Sequence, residues 1–311
     1  MSAGREQGPG GRLVAAIALV VVSSSFVPAA LSSQEPPLPD TATLFKAVRD
    51  NLVRAERVSH LYAYKERRTD VRTNPFGKLG TGGTSLYDVY PSVMRGLTYR
   101  RLIARDAVPV STRELAEQDR AYRVRVADAQ REARTAADLL RLVEEQDAEA
   151  RERGQRAVED VANTLAFKIE RRTVYEGIPA IVVTFGPKPR AVAATRQGRT
   201  AQKFGGTIWI AEEAAEVMRL EAKSLDDISF GFGIVARLSE GTVATVTRRQ
   251  VEQDLWMPVE LTLVGRGRAA LFLRRLTVDF RIEWSGYRRL PDGILAPFLD
   301  ARVQRESGGG P

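Results

Sequence analysis

Residues 167–290 form a near-unbroken series of strand-like segments cut by turn residues, and this limits the fold more than any other feature of the chain. The clearest unit runs from Gly206 through Trp209 and Ile210, turns at Glu212-Glu213, and returns through Arg219 to Ala222. Val217, Arg219 and Glu221 alternate with Met218, Leu220 and Ala222, the period of a half-buried strand. Glu176-Gly177, between apolar runs at 167–175 and 179–185, is hairpin chemistry. Further strands are predicted at 229–238, 242–252, 256–264, 271–284 and 296–303, with 265–268 as a turn. Earlier candidates are 61–71, 85–90 and 97–104, with turns at 74–77 and 80–83. Strands joined by such short connections pair antiparallel.

Two segments read as helix. Asp40 or Thr41 caps a helix to about Val58, in which Ala42, Phe45, Val48, Leu52 and Ala55 recur at steps of three and four. An amphipathic helix of this kind must lie against an apolar surface. Residues 112–164 are dense in Arg, Glu and Ala and contain no Pro. There Tyr122, Val126, Ala129, Ala133, Ala136, Leu140 and Val143 trace a heptad-like seam. The default reading is a long solvated helix, or a helical hairpin broken near Gly154; a coiled-coil dimer is the alternative. The class is α+β.

The N-terminus has the order of a secretory signal: Arg5 and Arg12, an uncharged apolar run at 13–22, then small residues through Ser33. Cleavage falls after Ala29 or near Ser32-Ser33, while an uncleaved anchor over 13–31 stays open. The domain plan is a signal at 1–33, a Pro-rich linker at 34–40, one domain at 41–305 carrying the helical segment 112–164, and a tail at 306–311. The expected location is the periplasm, or its membrane face if the leader remains. Cysteine is absent, which excludes disulfides, thiolate metal sites and Cys nucleophiles. The formal charge is +8, with both signs mixed along the chain. Outside the cytoplasm such a charge reads either as ordinary surface arginine, which the mixing of signs favours, or as attraction to anionic lipid or cell-wall polymers, not to nucleic acid.

No catalytic constellation is legible. His60 is the only histidine, sits between a helix end and a strand, and has no Gly-x-Ser-x-Gly elbow to serve. One histidine without cysteine leaves no zinc set. Glu212-Glu213 and Asp226-Asp227 are adjacent acids, which on a strand point to opposite faces and in turns bond their own backbone. Gly80–Thr84 lacks the Gly-Lys-Ser/Thr ending of a phosphate loop. Paired arginines, among them Arg67-Arg68, Arg100-Arg101 and Arg248-Arg249, read either as a basic rim or as strand-end charges that protect sheet edges. Trp209, Phe230, Phe232, Trp256 and Phe272 are the large aromatics of the sheet half, candidates for an apolar cavity or for ordinary core.

The order Tyr62-Ala63-Tyr64-Lys65-Glu66-Arg67 after an amphipathic helix, and Gly206-Thr207-Ile208-Trp209-Ile210 with its hairpin to Arg219-Leu220-Glu221-Ala222, resembles the outer-membrane lipoprotein-sorting (LolA-like) superfamily. Asp227-Ile228-Ser229-Phe230-Gly231-Phe232, Leu255-Trp256-Met257-Pro258 and Ser285-Gly286-Tyr287-Arg288 look like one bacterial branch of it. The resemblance covers most of 41–290 except 112–164. It implies a strongly curved antiparallel half-barrel wrapped around a helix, with the charged helical segment as an insertion. It implies a non-enzymatic, cofactor-free envelope protein that holds a lipid or acylated protein. Peripheral membrane contact is compatible with this. A protein–protein or sensor module using the charged helix is the alternative.

Overall fold

The computed structural model describes residues 37–73, 79–92, 94, 97–132, 135–230, 236–269 and 274–290. In chain order the elements are α1 (Thr41–Ser59), β1 (Tyr62–Thr73), β2 (Leu79–Tyr90), β3 (Tyr99–Arg105), β4 (Val108–Pro109), α2 (Thr112–Glu132), α3 (Ala136–Thr164), β5 (Leu165–Tyr175) and β6 (Ile178–Pro187). They continue with α4 (Arg196–Ala201), β7 (Phe204–Ala211), β8 (Glu216–Ser224), β9 (Ile228–Phe230), β10 (Ala236–Leu238), β11 (Val243–Glu252), β12 (Leu255–Ala269) and β13 (Arg274–Arg289). One antiparallel sheet runs β4-β3-β2-β1-β13-β12-β11-β8-β7-β6-β5, with the small hairpin β9–β10 joined to β12. Its two ends, β4 and β5, do not pair, so the sheet is open. The class is α+β, as the sequence predicts. The leader, the turn at 74–77 and the strand predicted at 296–303 lie outside the described residues.

Helix α1 crosses this sheet. Asp40 caps it by accepting from the Thr43 N–H at 2.8 Å. Leu44 and Val48 are buried against Leu165, Ile181, Val183, Ile208, Ile210 and Val217 of β5–β8. Ala55, about 16 Å further along at 1.5 Å per residue, is buried against Tyr62 of β1 and Leu255 and Met257 of β12. The predicted stripe holds except at Ala42, which is exposed while Leu44 takes the buried place. Polar ties fix the crossing: Asn51 Nδ2 donates to the Ala214 and Ala215 carbonyls at 2.8 and 3.0 Å, and Arg54 to the Asp254 carbonyl at 3.2 Å.

Three local expectations change. The alternation in β8 breaks at a bulge: Ile210 pairs with Val217 but Trp209 with Arg219, leaving Met218 as the extra residue. Val217 therefore joins Leu220 and Ala222 on the α1 side, and Met218 lies in a separate cluster with Trp209 and Trp256. The strand predicted at 229–238 is two short strands, β9 and β10, paired to each other. The turn predicted at 265–268 is instead continuous β12. Gly267 marks a close approach there, since a Cβ would lie 2.2 Å from the Arg237 carbonyl oxygen.

The charged segment is a pair of helices broken at Thr135, not near Gly154. Thr135 caps α3, accepting from the Asp138 N–H at 3.0 Å. Gly154 is helical, and a Cβ there would lie 3.4 Å from the Glu56 Cγ on α1. The seam residues Tyr122, Val126 and Val143 are buried together with Met94, Leu97 and Tyr99. The heptad-like pattern thus reports packing of α2 and α3 on the β2–β3 region. Tyr122 stacks on Tyr99 at 4.2 Å, and Gln118 both accepts from and donates to the backbone of Leu102.

Asp160 of α3 ties down the segment before α4. It accepts from the Thr195 hydroxyl at 2.6 Å and from the N–H groups of Thr195 and Ala194 at 2.8 and 3.0 Å. The Thr195 hydroxyl first, then these N–H groups, hold its carboxyl below the usual range. The folded state therefore binds the proton less tightly than the unfolded chain. The stabilisation is present above the ordinary carboxylate pKa and is lost as pH falls through the lowered one. Hydrogen exchange at 191–203, corrected for intrinsic rates, is expected to quicken between about pH 5 and pH 3. Asp160→Asn should show fast exchange at both pH values.

Candidate ligand cavity

A cavity of about 480 Å³ opens between the C-terminal half of α1, the middle of α3 and strands β1, β11, β12 and β13. Three periodicities aim side chains into it. On α1, Leu52, Ala55, Glu56 and Ser59 follow the i, i+3, i+4, i+7 line of one face. On α3, Asp147 and Arg151 are one turn apart. On β1 and β13, Glu66 pairs with Trp284, which sets Trp284 beside Tyr64, while the Tyr64 and Tyr287 rings meet at 5.4 Å. Arg248, Trp256 and Met257 are buried, whereas Glu56, Arg57 and Arg151 are exposed, so the cavity has a closed end and a mouth.

Charge at the closed end is paired within the protein. Arg248 Nη1 donates to Glu216 Oε2 at 2.9 Å and its Nη2 to the Trp256 carbonyl at 2.7 Å. Their side chains are 8% and 3% exposed, and Arg54 reaches the other Glu216 oxygen at 3.6 Å. Burial pushes the Glu216 carboxyl up, and the guanidiniums of Arg248 and Arg54 oppose that rise. Glu66, also buried, accepts from Arg100 and from the Trp284 indole N–H. Tyr287 donates to the Pro258 carbonyl at 2.5 Å, and burial pushes its hydroxyl well above the ordinary phenol value.

At the mouth, Arg151 pairs with Asp147 at 2.6 Å. His60, the C-cap of α1, is half-buried there. Burial lowers its pKa, Asp147 pulls it up and Arg151 lowers it. The wall serine Ser59 donates to the Glu56 carbonyl. Among the described residues no group of three or more His, Cys, Asp or Glu side chains is placed to hold a metal ion.

The aromatics singled out from sequence are dispersed. Trp256 lines the cavity and packs on Ala180, Ala211 and Met218. Trp209 lies between Ile208 and Ile210, which face α1, and so points to the opposite face. There it meets Tyr175 at 6.0 Å, with the Arg219 guanidinium 5.9 Å from its ring. Phe230 belongs to β9, and Phe232 and Phe272 lie outside the described residues. Tyr64, Trp284 and Tyr287 were missed because the pairing of β1 with β13 unites opposite ends of the chain, and Arg248, read as a rim or strand-end charge, lies buried in an ion pair with Glu216. The one local signal was the Tyr62/Tyr64 alternation.

No protein-family model matches the sequence, and no curated protein matches it. Two solved structures align with it. One, from Vibrio parahaemolyticus, is described as an outer membrane lipoprotein-sorting protein domain. It is 8% identical over 78% of this chain and 92% of its own, with a TM-score of 0.26. The other is a DUF1329 family protein from Desulfovibrio piger, 12% identical over the same shares, also with a TM-score of 0.26. Among the described residues no helix is long and apolar enough to cross a membrane.

Proposed function

We propose that this protein is a binding protein of the cell envelope that holds a lipid or a lipidated polypeptide between α1 and the sheet. The observation that carries the reading is the cavity: about 480 Å³, walled by Leu52, Tyr64, Trp256, Met257, Trp284 and Tyr287. That volume falls in the range of roughly 300–1,000 Å³ typical of small-molecule sites, which are mostly apolar with a few polar groups. Each methylene moved from water into such a wall contributes about 0.8 kcal/mol, so affinity would grow with the length of acyl chain held.

In this reading the open sheet acts as a half-barrel, and the α2–α3 pair is an inserted wall that closes one side through Asp147 and Arg151. The leader at 1–33 exports the chain, and 41–305 works as one domain without cofactor or catalysis. Uptake requires α1 to give way locally, because its apolar stripe occupies the neighbouring part of the same face. Native mass spectrometry of the mature protein from an envelope fraction, followed by lipid extraction, tests the proposal. A stoichiometric lipid is the expected result. A clean apo mass that also takes up no added lipid would remove it.

A further inference from the structure

Charges of both signs alternate along most of the chain, and one stretch departs from this. No Asp or Glu occurs from Gly177 to Ala211, while Lys188, Arg190, Arg196, Arg199 and Lys203 all fall there. These cations lie in the connection from β6 to β7, and short hydrogen bonds hold that connection as one body. The Lys188 N–H donates to the Thr164 carbonyl at 2.8 Å, Asp160 takes the Ala194 and Thr195 N–H groups, and Gln202 Nε2 donates to the Ala191 carbonyl at 2.6 Å. Lys203 lies 3.9 Å from Asp226. The other four are exposed and, among the described residues, reach no carboxylate at ion-pair distance. Lys188 and Arg199 donate only to carbonyl oxygens, those of Ala162 and Ala194. Asp160, whose charge is felt at Arg199, is buried with its oxygens taken by Thr195 and Ala194. On α2 and α3, by contrast, Arg113, Arg141, Arg151 and Arg153 each pair with an acid one turn away. Among the four loop cations stands Val192, 91% exposed, the barest large apolar side chain of the described residues. Leu225, half exposed, adjoins the same segment through its N–H to the Lys203 carbonyl at 2.8 Å.

We infer that residues 188–203 form a docking platform for an anionic phospholipid bilayer, with Lys188, Arg190, Arg196 and Arg199 on the head groups and Val192 in the interfacial layer. Cations without carboxylate partners attract any polyanion. The bare valine narrows the choice. A soluble polyanion leaves it in water, whereas a bilayer presents charge at its surface and hydrocarbon just beneath. The bracing favours docking too, because a segment already ordered loses little further entropy on contact. This surface is separate from the cavity. Asp160, which anchors it, follows Arg151 of the cavity mouth by nine residues on α3, about 14 Å at 1.5 Å per residue. The inference therefore goes beyond the lipid-holding reading and stands without it: a protein with a filled cavity would still dock.

Flotation of the mature protein with vesicles tests this, using phosphatidylcholine alone and phosphatidylcholine with about a third phosphatidylglycerol. Binding to the charged vesicles is expected to be at least tenfold tighter than to the neutral ones. It should be lost in about 1 M salt, where the screening length is about 3 Å. Arg190→Gln with Arg196→Gln should weaken it about thirtyfold, each basic side chain at an anionic surface being worth a factor of about five. Both side chains are exposed, so the melting temperature of that variant should not move. Val192→Ser should weaken bilayer binding about fivefold or more and leave retention on immobilised heparin unchanged. No binding to charged vesicles, equal binding to neutral ones, or binding that survives the double arginine variant would overturn the inference. Charged-vesicle binding indifferent to Val192→Ser would overturn the bilayer as the occupant and leave a site for soluble polyanions. None of these outcomes alters whether a lipid co-purifies in the cavity, so the two readings fail separately.

Discussion

Glu216→Ala is expected to destabilise the folded chain by about 3–5 kcal/mol, the cost of removing one partner from a buried ion pair. Glu216 is 3% exposed and accepts from Arg248, itself 8% exposed. Truncation leaves a guanidinium that cannot shed its charge, held by its hydrogen bond to the Trp256 carbonyl without a carboxylate beside it among the described residues. It also cuts the tie from Arg54 on α1 to β8. The pair is not thereby a source of net stability, because desolvation offsets its attraction. Replacing both partners, Glu216→Met with Arg248→Met, is therefore expected to recover most of the loss. Urea titrations of the two single variants and the double complete the cycle. A single-variant loss under about 1 kcal/mol would mean that water reaches the pair and that the closed end is wet.

How much of this could be read from residues follows the range of each interaction. The Asp40 cap, the α1 stripe and the Glu176-Gly177 turn are local: the cap and the turn appear as expected, both turn residues having positive φ, 50° and 81°, and the stripe holds except at Ala42. Strand boundaries failed where glycine carried two meanings. Gly265 and Gly267 read as a turn but serve close packing within β12. The bulge at Met218 was invisible, since one extra residue reverses the facing of Val217 without altering composition. The heptad-like seam was a true pattern with the wrong partner: Tyr122 and Val126 found Tyr99 and Met94 of the same chain. The cavity was least legible. It joins Tyr64 to Trp284, Arg248 and Asp147 through pairings that span most of the chain, and no local periodicity encodes them.

Gly206→Ala is expected to cost about 3 kcal/mol or more, against the gain of roughly 0.4–1 kcal/mol that Gly→Ala brings where space and backbone allow it. Gly206 pairs with Ala222 on one side and Phe185 on the other. A Cβ there would sit 1.9 Å from the Glu221 carbonyl oxygen and 2.9 Å from the Ala222 Cα. Both are backbone atoms, so no rotamer change relieves the clash, and β7 must move from β8. That movement acts on Ile208 and Ile210, which carry the buried side of α1, and on the 211–215 turn that holds Asn51. Gly186→Ala on the neighbouring strand is the control. Nothing lies within 4 Å of its added Cβ, and the variant should be neutral or slightly stabilising. Thermal unfolding of the two variants side by side reads the difference. Equal melting temperatures would show that β7 and β8 can separate at Gly206 at little cost. The floor beneath α1 would then be soft enough to yield when a chain enters.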